Sequence, residues 1–456
     1  MIDNTGDTLA STQSLSKGAT LYPWYVVIVL MLAQTFSFID RMIMGLLVGP
    51  IRASFGISDT QYSLLAGLAF AVFYAIMGLP LARIADRKSR KLLIALGICV
   101  WSIMTALCGL AQGFWGLFLA RVGVGVGEAS LSPAAYSMIS DYFPKNILGR
   151  ALSVYTVGVT IGSGLAYMIG SKVVDYVETL GTLSLPVVGQ VEGWQLTFLV
   201  VGIPGLIVAA LMVFTVAEPA RKGKLVASNR QIDADYVPPI REVVSYLLER
   251  KRAMLTHIIG MSFYIMVVFS LNVWGPTYLI RTFDYSRSDA GWIMGIAMMV
   301  GGSIGLLLGG TWADKWYAKG QADAYSRVIV ISIFCLIPFV VMLGFTSSAY
   351  IGIFCISAGI FFSAFQGGIA GGIIQLMIPN QMRGQAVALY FLGTNLIGLG
   401  LGPTVVALIT DFVFQDDAAI GKSLALATAV LCPIAALIIA SGRKDVREAI
   451  ERINRA

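Results

Sequence analysis

Two acidic and two basic residues lie inside stretches of the sequence that are otherwise almost entirely apolar. Asp40 and Arg41 are adjacent in one stretch, and Arg121 and Glu128 lie seven residues apart in another. Buried carboxyl groups can take up and release protons, and buried guanidinium groups can bind them or another anion. We therefore expect Asp40 and Glu128 to carry protons, with Arg41 and Arg121 as counter-ions and anion-binding groups. The alternative is a fixed ion-pair network that only holds helices together.

The composition indicates what surrounds these ions. The chain has 456 residues, of which 57% are hydrophobic and 12% charged, whereas soluble domains have about 25% charged residues. Such a chain is too apolar for one soluble core, so the expected solvent is a lipid bilayer. The polar first 20 residues predict no cleavable signal sequence. Five cysteines without metal or redox spacing, and His257 as the single histidine, favour a protein that is not an enzyme and needs no metal or cofactor.

Twelve apolar stretches are long enough to cross a bilayer, because a helix needs about 20 residues to do so. The fold class is therefore predicted to be an all-α membrane protein with twelve transmembrane helices. Open sheets are excluded, since their edges cannot face lipid, and the stretches are too continuously apolar for barrel strands. The predicted spans are residues 23–49, 60–82, 91–111, 114–140, 150–174, 194–217, 254–280, 288–313, 325–346, 349–377, 384–411 and 421–441.

The basic residues predict the orientation of the spans. If the N-terminus is cytoplasmic, 25 of the 32 Lys and Arg residues fall in cytoplasmic segments and five in external loops. This bias follows the positive-inside rule, so we expect a cell-membrane protein with both termini in the cytoplasm. It also accounts for the net charge of +7 without a nucleic-acid partner. An alternative use, a basic patch for anionic lipid, applies at most to "ERKRA" at residues 249–253.

The sequence contains an internal duplication. In the turn after span 2, a small residue is followed in sequence by Asp86 and Arg87. The turn after span 8 has the same pattern at Asp314, 228 residues later. The turns after spans 4 and 10 begin with Pro144 and Pro379, 235 residues apart. We therefore predict two pseudo-symmetric six-helix halves, as in many secondary transporters. The predicted segments are an N-tail 1–22, halves 23–217 and 253–441, a cytoplasmic linker 218–252 and a C-tail 442–456.

The architecture and the two Asp-base turns resemble the major facilitator superfamily over nearly the whole chain. The first half is similar to its Spinster-like branch and looks like a bacterial Spinster homologue. It departs from the superfamily pattern at Ala82 and Ser89, where glycine is usual, and at Ser163, where antiporters carry proline. The matching stretches are "DRMIMG" (40–45), "ADRKSRK" (85–91), "GICVWS" (97–102), "ARVGVGVGEASLSPAAYSMISDYF" (120–143) and "TIGSGLAY" (160–167).

The resemblance implies a cytoplasmic gate built on the repeated turns. An aspartate at a helix end can pair with nearby bases or with a helix N-terminus across the seam between the halves. The alternative is that these charged turns only anchor the topology. The predicted gate residues are Asp86, Arg87, Arg90, Arg150, Asp314 and Arg383.

The second half supplies candidate substrate contacts that carry no charge. An anionic end of the substrate would bind near Arg121, and an apolar body would lie against the second half. This fits a lysolipid or a sphingoid phosphate, and the resemblance implies the same, since eukaryotic Spinster proteins move such lipids. The alternative is that these side chains face lipid or other helices. Besides Arg41 and Arg121, the candidate binding residues are Tyr264, Asn272, Trp274, Tyr278, Gln366 and Asn395.

These features together predict a monomeric secondary active transporter that works by alternating access. Its expected partners are protons, membrane lipids and a small amphipathic substrate of lipid type. Alternatives are a proton-linked multidrug transporter, a transporter of small organic anions, and, in a different class, a passive lipid scramblase. "GVGVGE" (123–128) lies inside a predicted span and lacks nucleotide-loop spacing, so it favours helix packing over ATP binding.

Overall fold

The computed structural model describes residues 17–179, 183–185, 189–220, 239–379 and 382–455. Within them, twelve helices are long and apolar enough to cross a membrane, which confirms the predicted fold class. Because the number of spans is even, span 1 begins and span 12 ends on the same side, for which we keep the predicted name cytoplasmic. The spans are Leu21–Leu46, Asp59–Ala85, Arg90–Cys108, Phe114–Tyr142, Arg150–Val177, Gly193–Thr215, Lys251–Phe283, Arg287–Ala318, Ala324–Met342, Ala349–Met377, Gln385–Phe414 and Asp417–Ser441.

The first half contains spans 1–6. Its outer loop between spans 5 and 6 carries a short antiparallel pair, strands β1 Leu183–Leu185 and β2 Gly189–Val191, that the sequence analysis does not predict. The α-helices are α1 Lys17–Met42, α2 Val48–Phe55, α3 Asp59–Ser63, α4 Ala69–Arg87, α5 Arg90–Cys108, α6 Phe114–Glu128, α7 Leu131–Tyr142, α8 Lys145–Thr179 and α9 Gly193–Thr215.

The second half contains spans 7–12 and is flanked by two amphipathic helices on the cytoplasmic side. Helix α10, Ile240–Glu249, precedes span 7, and α20, Arg443–Arg455, follows span 12. The helices between them are α11 Lys251–Phe283, α12 Arg287–Ile296, α13 Ser303–Ala318, α14 Ala324–Met342, α15 Ala349–Ala364, α16 Gln366–Met377, α17 Arg383–Thr394, α18 Gly400–Leu408 and α19 Ile420–Ser441.

Several spans are interrupted by breaks or by irregular helical turns. Span 4 breaks between α6 and α7, directly after Glu128, and span 10 breaks at Phe365. The two breaks are repeat partners, because Ser130 plus the offset of 235 is residue 365. Irregular turns of this kind often occur at functional sites. Wider π-helical turns occupy Leu64–Leu68, Ala297–Gly302, Asn395–Leu399 and Ile409–Phe414, and 3-10 turns occupy Ile43–Leu46 and Asp417–Ala419.

The two halves meet along closely packed backbones. A Cβ atom at Gly67 of span 2 would lie 2.8 Å from the carbonyl oxygen of Gly400 in span 11. A Cβ atom at Gly295 of span 8 would lie 2.7 Å from the carbonyl oxygen of Gly164 in span 5. Since real Cβ atoms do not approach that closely, these glycines allow the helices to touch, as small residues do between membrane helices.

Candidate functional site

Glu128 lies at the centre of the charged cluster in the first half. Its Oε2 atom accepts a hydrogen bond from Arg41 Nη2 at 2.5 Å and another from Ser37 Oγ at 2.6 Å. The carboxylate is fully buried, whereas the Arg41 side chain is 11% exposed. Glu128 thus ends helix α6 at the break in span 4 and ties that break to span 1.

Arg41 is also surrounded by aromatic rings. Its Cζ atom lies 4.6 Å from the ring centroid of Phe38, 4.4 Å from that of Phe70 and 5.2 Å from that of Tyr74. Rings at such distances attract a cation through their negative faces, more strongly where water is excluded. Span 2 therefore helps to hold this guanidinium, a contribution that the sequence does not indicate.

Asp40 points away from its neighbour, as expected for adjacent residues that are ~100° apart on a helix. Its Oδ2 atom accepts a hydrogen bond from Thr105 Oγ1 of span 3 at 3.1 Å. Arg121 is fully buried, and its Nη1 donates to the backbone carbonyl of Asp40 at 3.4 Å. Of the two basic residues expected to act as counter-ions, Arg41 pairs with Glu128, while Arg121 reaches the backbone of span 1.

The cluster holds polar atoms that no hydrogen bond to the described residues satisfies. They are Asp40 Oδ1, Glu128 Oε1, Arg41 Nε, and Arg121 Nε and Nη2. A buried polar atom without a partner is unfavourable, and native proteins contain few of them. Each carboxyl group thus has one oxygen that can accept a proton without breaking an existing contact.

The second-half candidates divide into two groups. Tyr264, Trp274 and Tyr278 are fully buried. Tyr264 donates to the carbonyl of Phe362 at 3.3 Å, and Trp274 donates to the carbonyl of Pro403 at 2.9 Å. The Trp274 ring also packs against Tyr62 of the first half, with the ring centroids 6.3 Å apart, so it lies at the seam. A role of these three residues in substrate contact remains a prediction.

The three amide candidates are only half-buried. Asn272 lies on span 7, and its backbone carbonyl accepts from Tyr167 of the first half at 2.6 Å. Gln366 follows the break in span 10, and Asn395 begins the π-helical turn of span 11. Their side chains occupy interrupted segments or the seam, so they remain candidates for polar contact with a substrate.

Arg90 of the predicted cytoplasmic gate is held inside the first half. It is buried, forms an ion pair with Asp141, and contacts Glu218 at 2.8 Å and Ser137 at 2.8 Å. These partners join the starts and ends of spans 3, 4 and 6. In this arrangement its guanidinium is engaged by these groups, and its role as a gate residue remains a prediction.

The other predicted gate residues lie at the cytoplasmic surface. Arg87 and Arg150 are exposed. Asp314 accepts from Tyr325 Oη at 2.5 Å, and Arg383 Nε donates to the carbonyl of Ile378 at 3.1 Å, both contacts within the second half. The side chain of Asp86 lies outside the described part of the chain. The inner gate therefore remains a prediction.

A second ionic cluster closes the outer side and was missed from the sequence. Asp59 is fully buried and contacts Arg52 at 3.0 Å and, from the second half, Arg281 at 2.6 Å. Asp417 of the second half reaches Arg52 at 2.6 Å. We call these four residues, Arg52, Asp59, Arg281 and Asp417, the outer cluster.

A further contact beside the outer cluster also joins the first half to the second half. The backbone N–H and the hydroxyl of Thr60 both donate to Asp411 of span 11, at 2.8 and 2.7 Å. The available sequence signal was that all these charges lie at the external ends of predicted spans. Placing opposite charges from both halves at one depth could have suggested that they pair.

Comparison with known proteins agrees with this architecture. The model of the Major Facilitator Superfamily matches residues 30–442. An MFS-type efflux pump of Mycolicibacterium smegmatis is 28% identical, over 93% of this chain and 94% of that protein. The probable L-galactonate transporter of Escherichia coli is 25% identical, over 78% and 76%. Protein spinster homolog 1 of Xenopus tropicalis is 26% identical, over 86% and 74%.

The fold is similar to that of a solved Spinster-type structure. That crystal structure is of a bacterial homologue of the human lysosomal transporter Spinster, in an inward-facing and unoccupied conformation. It is 26% identical, the match covers 94% of this chain and 97% of that one, and the TM-score is 0.75. The chain thus belongs to the Major Facilitator Superfamily, and it is a Spinster-like multi-pass membrane transport protein.

Proposed function

We propose that the protein is a proton-coupled secondary transporter of an amphipathic, anionic substrate of lipid type. The observation that carries this proposal is the buried pair of Arg41 and Glu128, 2.5 Å apart at the break in span 4. A pair in this position can exist in two states that differ by one proton. Asp40, buried beside it, is the second proton-carrying candidate.

Protonation of Glu128 would free the guanidinium of Arg41. The neutral carboxyl group no longer competes for Arg41, which can then bind the anionic end of a substrate. Arg41 suits this role better than Arg121, because it is partly exposed and already engages a carboxylate. Proton uptake and anion binding would therefore favour the same state of the transporter, which couples the two.

The apolar part of the substrate would lie against the second half. No Asp, Glu, Lys or Arg occurs between residues 290 and 313 in span 8 or between 328 and 382 in spans 9 and 10. Such surfaces suit a hydrocarbon chain better than a second charge. Asn272, Gln366 and Asn395 would supply the polar contacts there.

Alternating access requires that the outer cluster opens when the inner side closes. In the present arrangement the outer cluster joins the two halves, which supports an inward-facing state. Opening outward would break the contacts of Asp59 with Arg281 and of Asp417 with Arg52. We propose that the inner gate then forms at the repeated turns of Asp86 and Asp314, with Arg87, Arg150 and Arg383 nearby.

A small organic anion is the second candidate substrate. The similarity to a probable L-galactonate transporter favours it, and a guanidinium such as that of Arg41 binds a sugar-acid carboxylate equally well. An amphipathic drug, which an efflux pump would carry, would depend less on a charge contact with Arg41. The first candidate is preferred because these segments of spans 8, 9 and 10 carry no charged side chain that could bind a second polar end of the substrate.

The test is uptake into liposomes that contain the purified protein. A fluorescent lysophospholipid and a radiolabelled hexuronate are compared, with and without an imposed pH gradient, for wild type, Asp40→Asn and Glu128→Gln. The matched controls are Asp284→Asn, on an exposed outer loop, and Glu448→Gln, on the exposed face of α20. We expect the gradient to drive lysophospholipid accumulation in wild type and both controls, and not in Glu128→Gln.

Two results would contradict the proposal. Equal movement with and without the gradient in every protein would favour a passive scramblase, and the charged cluster would then be structural. Gradient-driven hexuronate uptake without lysophospholipid uptake would retain the coupling but replace the substrate.

A further inference from the structure

Helix α10 presents an apolar face that no part of the described chain covers. Val244 is 37% exposed and Leu248 is 61% exposed, although both are aliphatic. Helix α20 is also amphipathic, but it buries its apolar residues Val446, Ala449 and Ile450 against the protein. Helix α10 therefore has an apolar face that does not pack against the protein and must contact another surface.

The arrangement around the α10 axis shows three sectors, given ~100° per residue. Val243 is fully buried, and with Leu247 it forms the sector that packs on the protein near α11 and α17. Val244 and Leu248 form the neighbouring sector. The remaining sector is polar, with Ser245 at its centre and Arg241 at the edge next to Leu248.

The position of α10 identifies the surface it meets. A single residue separates it from α11, so it lies where span 7 enters the membrane from the cytoplasmic side. The lipid-facing side of span 7 begins immediately beyond, with Leu255 51% exposed and Ile259 39% exposed. The exposed apolar sector of α10 thus adjoins a surface that already faces lipid.

Basic residues flank the same sector. Arg250 lies over the Tyr246 ring at 3.7 Å, and Arg252 pairs with Asp445 at 3.3 Å, so the protein itself engages both. Arg241 and Lys251 are exposed, and no acidic side chain of the described residues pairs with either. Bases beside an interfacial apolar face attract anionic headgroups of the cytoplasmic leaflet.

We propose that α10 is an interfacial anchor that inserts Val244 and Leu248 into the cytoplasmic leaflet and binds acidic phospholipid headgroups through Arg241 and Lys251. The anchor holds the second half at the membrane surface at the point where the linker from the first half arrives. This inference needs only a membrane-spanning chain, and it does not depend on the substrate or on proton coupling.

The test places an NBD fluorophore on the full-length protein in nanodiscs, in a background with the native cysteines replaced. Leu248→Cys and Val244→Cys report the proposed membrane-facing sector, and Ser245→Cys is the control on the polar sector. Nanodiscs contain phosphatidylcholine alone or with phosphatidylglycerol, each with and without a doxyl-labelled acyl chain. We expect blue-shifted emission and doxyl quenching at positions 244 and 248, and neither at 245.

The charged part of the proposal has its own readout. Phosphatidylglycerol should increase the quenching at position 248, and the double variant Arg241→Gln/Lys251→Gln should abolish that increase. Water-exposed emission at both 244 and 248 would overturn the anchor. Shielded emission without doxyl quenching would also overturn it, because the sector would then be covered by protein, either this chain or a second copy. Quenching that is independent of phosphatidylglycerol would overturn the headgroup site.

Discussion

Spans 4 and 10 are repeat partners that break at the same position and carry different chemistry there. In span 4 the break follows Glu128, which is buried and paired with Arg41. In span 10 the break falls at Phe365, which packs against Phe361 and Trp312. The backbone irregularity is thus common to both halves, whereas the ions occur in only one. We infer that the first half has the proton-linked role and the second half the apolar contact.

A second comparison shows the same architecture with the charges exchanged. In the first half a base at the start of span 3, Arg90, binds an acid just after span 6, Glu218. In the second half an acid at the start of span 9, Asp323, binds a base just after span 12, Arg443. We call these two ion pairs ties, because each links the third and the last span of its own six-helix half on the cytoplasmic side. What the duplication preserved is the position of the tie rather than the sign of its charges.

The largest expected effect comes from breaking the ionic pair of the first half. Arg41→Leu leaves Glu128 buried without its cation, which typically costs about 3–5 kcal/mol of unfolding free energy. Gln366→Leu, the control at the corresponding break of the second half, should cost less than about 1 kcal/mol. Urea unfolding in mixed micelles measures both. Equal losses would contradict the proposed division between the halves.

The double variant Arg41→Leu/Glu128→Leu tests whether the two side chains act as a pair. Replacing a buried pair with apolar residues of similar size is often neutral, so most of the stability should return. Gradient-driven transport should stay absent. If stability does not return, the two side chains do not act as a pair.

The charge-exchanged ties should differ in strength. Arg90→Gln removes a buried base from two acids, Asp141 and Glu218, and should cost about 2–3 kcal/mol. Arg443→Gln should cost about 1 kcal/mol or less, because Arg443 is 32% exposed and Arg327 still binds Asp323. Thermal unfolding of the two variants in one detergent tests the order. The reverse order would show that burial does not decide the strength of these ties.

Weakening the outer cluster should shift the protein toward an outward-facing state. Asp59→Asn loses the charge that both Arg52 and Arg281 contact, and we expect the outward-facing population to rise about tenfold, or ~1.4 kcal/mol. Spin labels at Ala53→Cys and Lys422→Cys report the distance across the outer seam. Asp284→Asn, which removes an exposed charge from the outer loop after α11, is the control. An unchanged distance distribution would show that the cluster does not hold the seam.

The smallest effect concerns acid stability and should have the same sign in both ties. Burial alone raises the pKa of Asp323, but hydrogen bonds from Arg327 and Arg443 lower it more, so the pKa lies below its ordinary value. The pKa of Glu218 is likewise lowered, because hydrogen bonds from the Lys91 N–H, Arg90 and Ser89 outweigh burial.

A lowered folded-state pKa gives a stabilisation that is present above the unfolded-state pKa of about 4 and is lost as pH falls through the folded value. Wild type should therefore lose stability below about pH 4 more steeply than Asp323→Asn or Glu218→Gln. Melting temperatures over a pH series measure this. A parallel decline in all three proteins would rule out a contribution from these carboxylates.

The twelve spans were predictable, because length and hydropathy alone decide whether a segment crosses a bilayer. The duplication could also be read from the turns around Asp86 and Asp314. The breaks and π-helical turns were not predictable, since they depend on how neighbouring helices pack. The set of buried ions was identifiable from the sequence, but their pairing was not, because it depends on the rotation of each helix about its axis. Of the two predicted counter-ions, Arg41 is the one that pairs with Glu128.

We expect Glu128 to change its protonation state when an anionic substrate binds. Infrared difference spectroscopy of the reconstituted protein at neutral pH measures this directly, through the C=O stretch of a protonated carboxyl group. We predict that lysophospholipid binding to wild type produces this band and that Glu128→Gln lacks it, while Asp284→Asn retains it. A wild-type spectrum without the band, under conditions where the substrate is shown to bind, would show that Glu128 takes up no proton on binding.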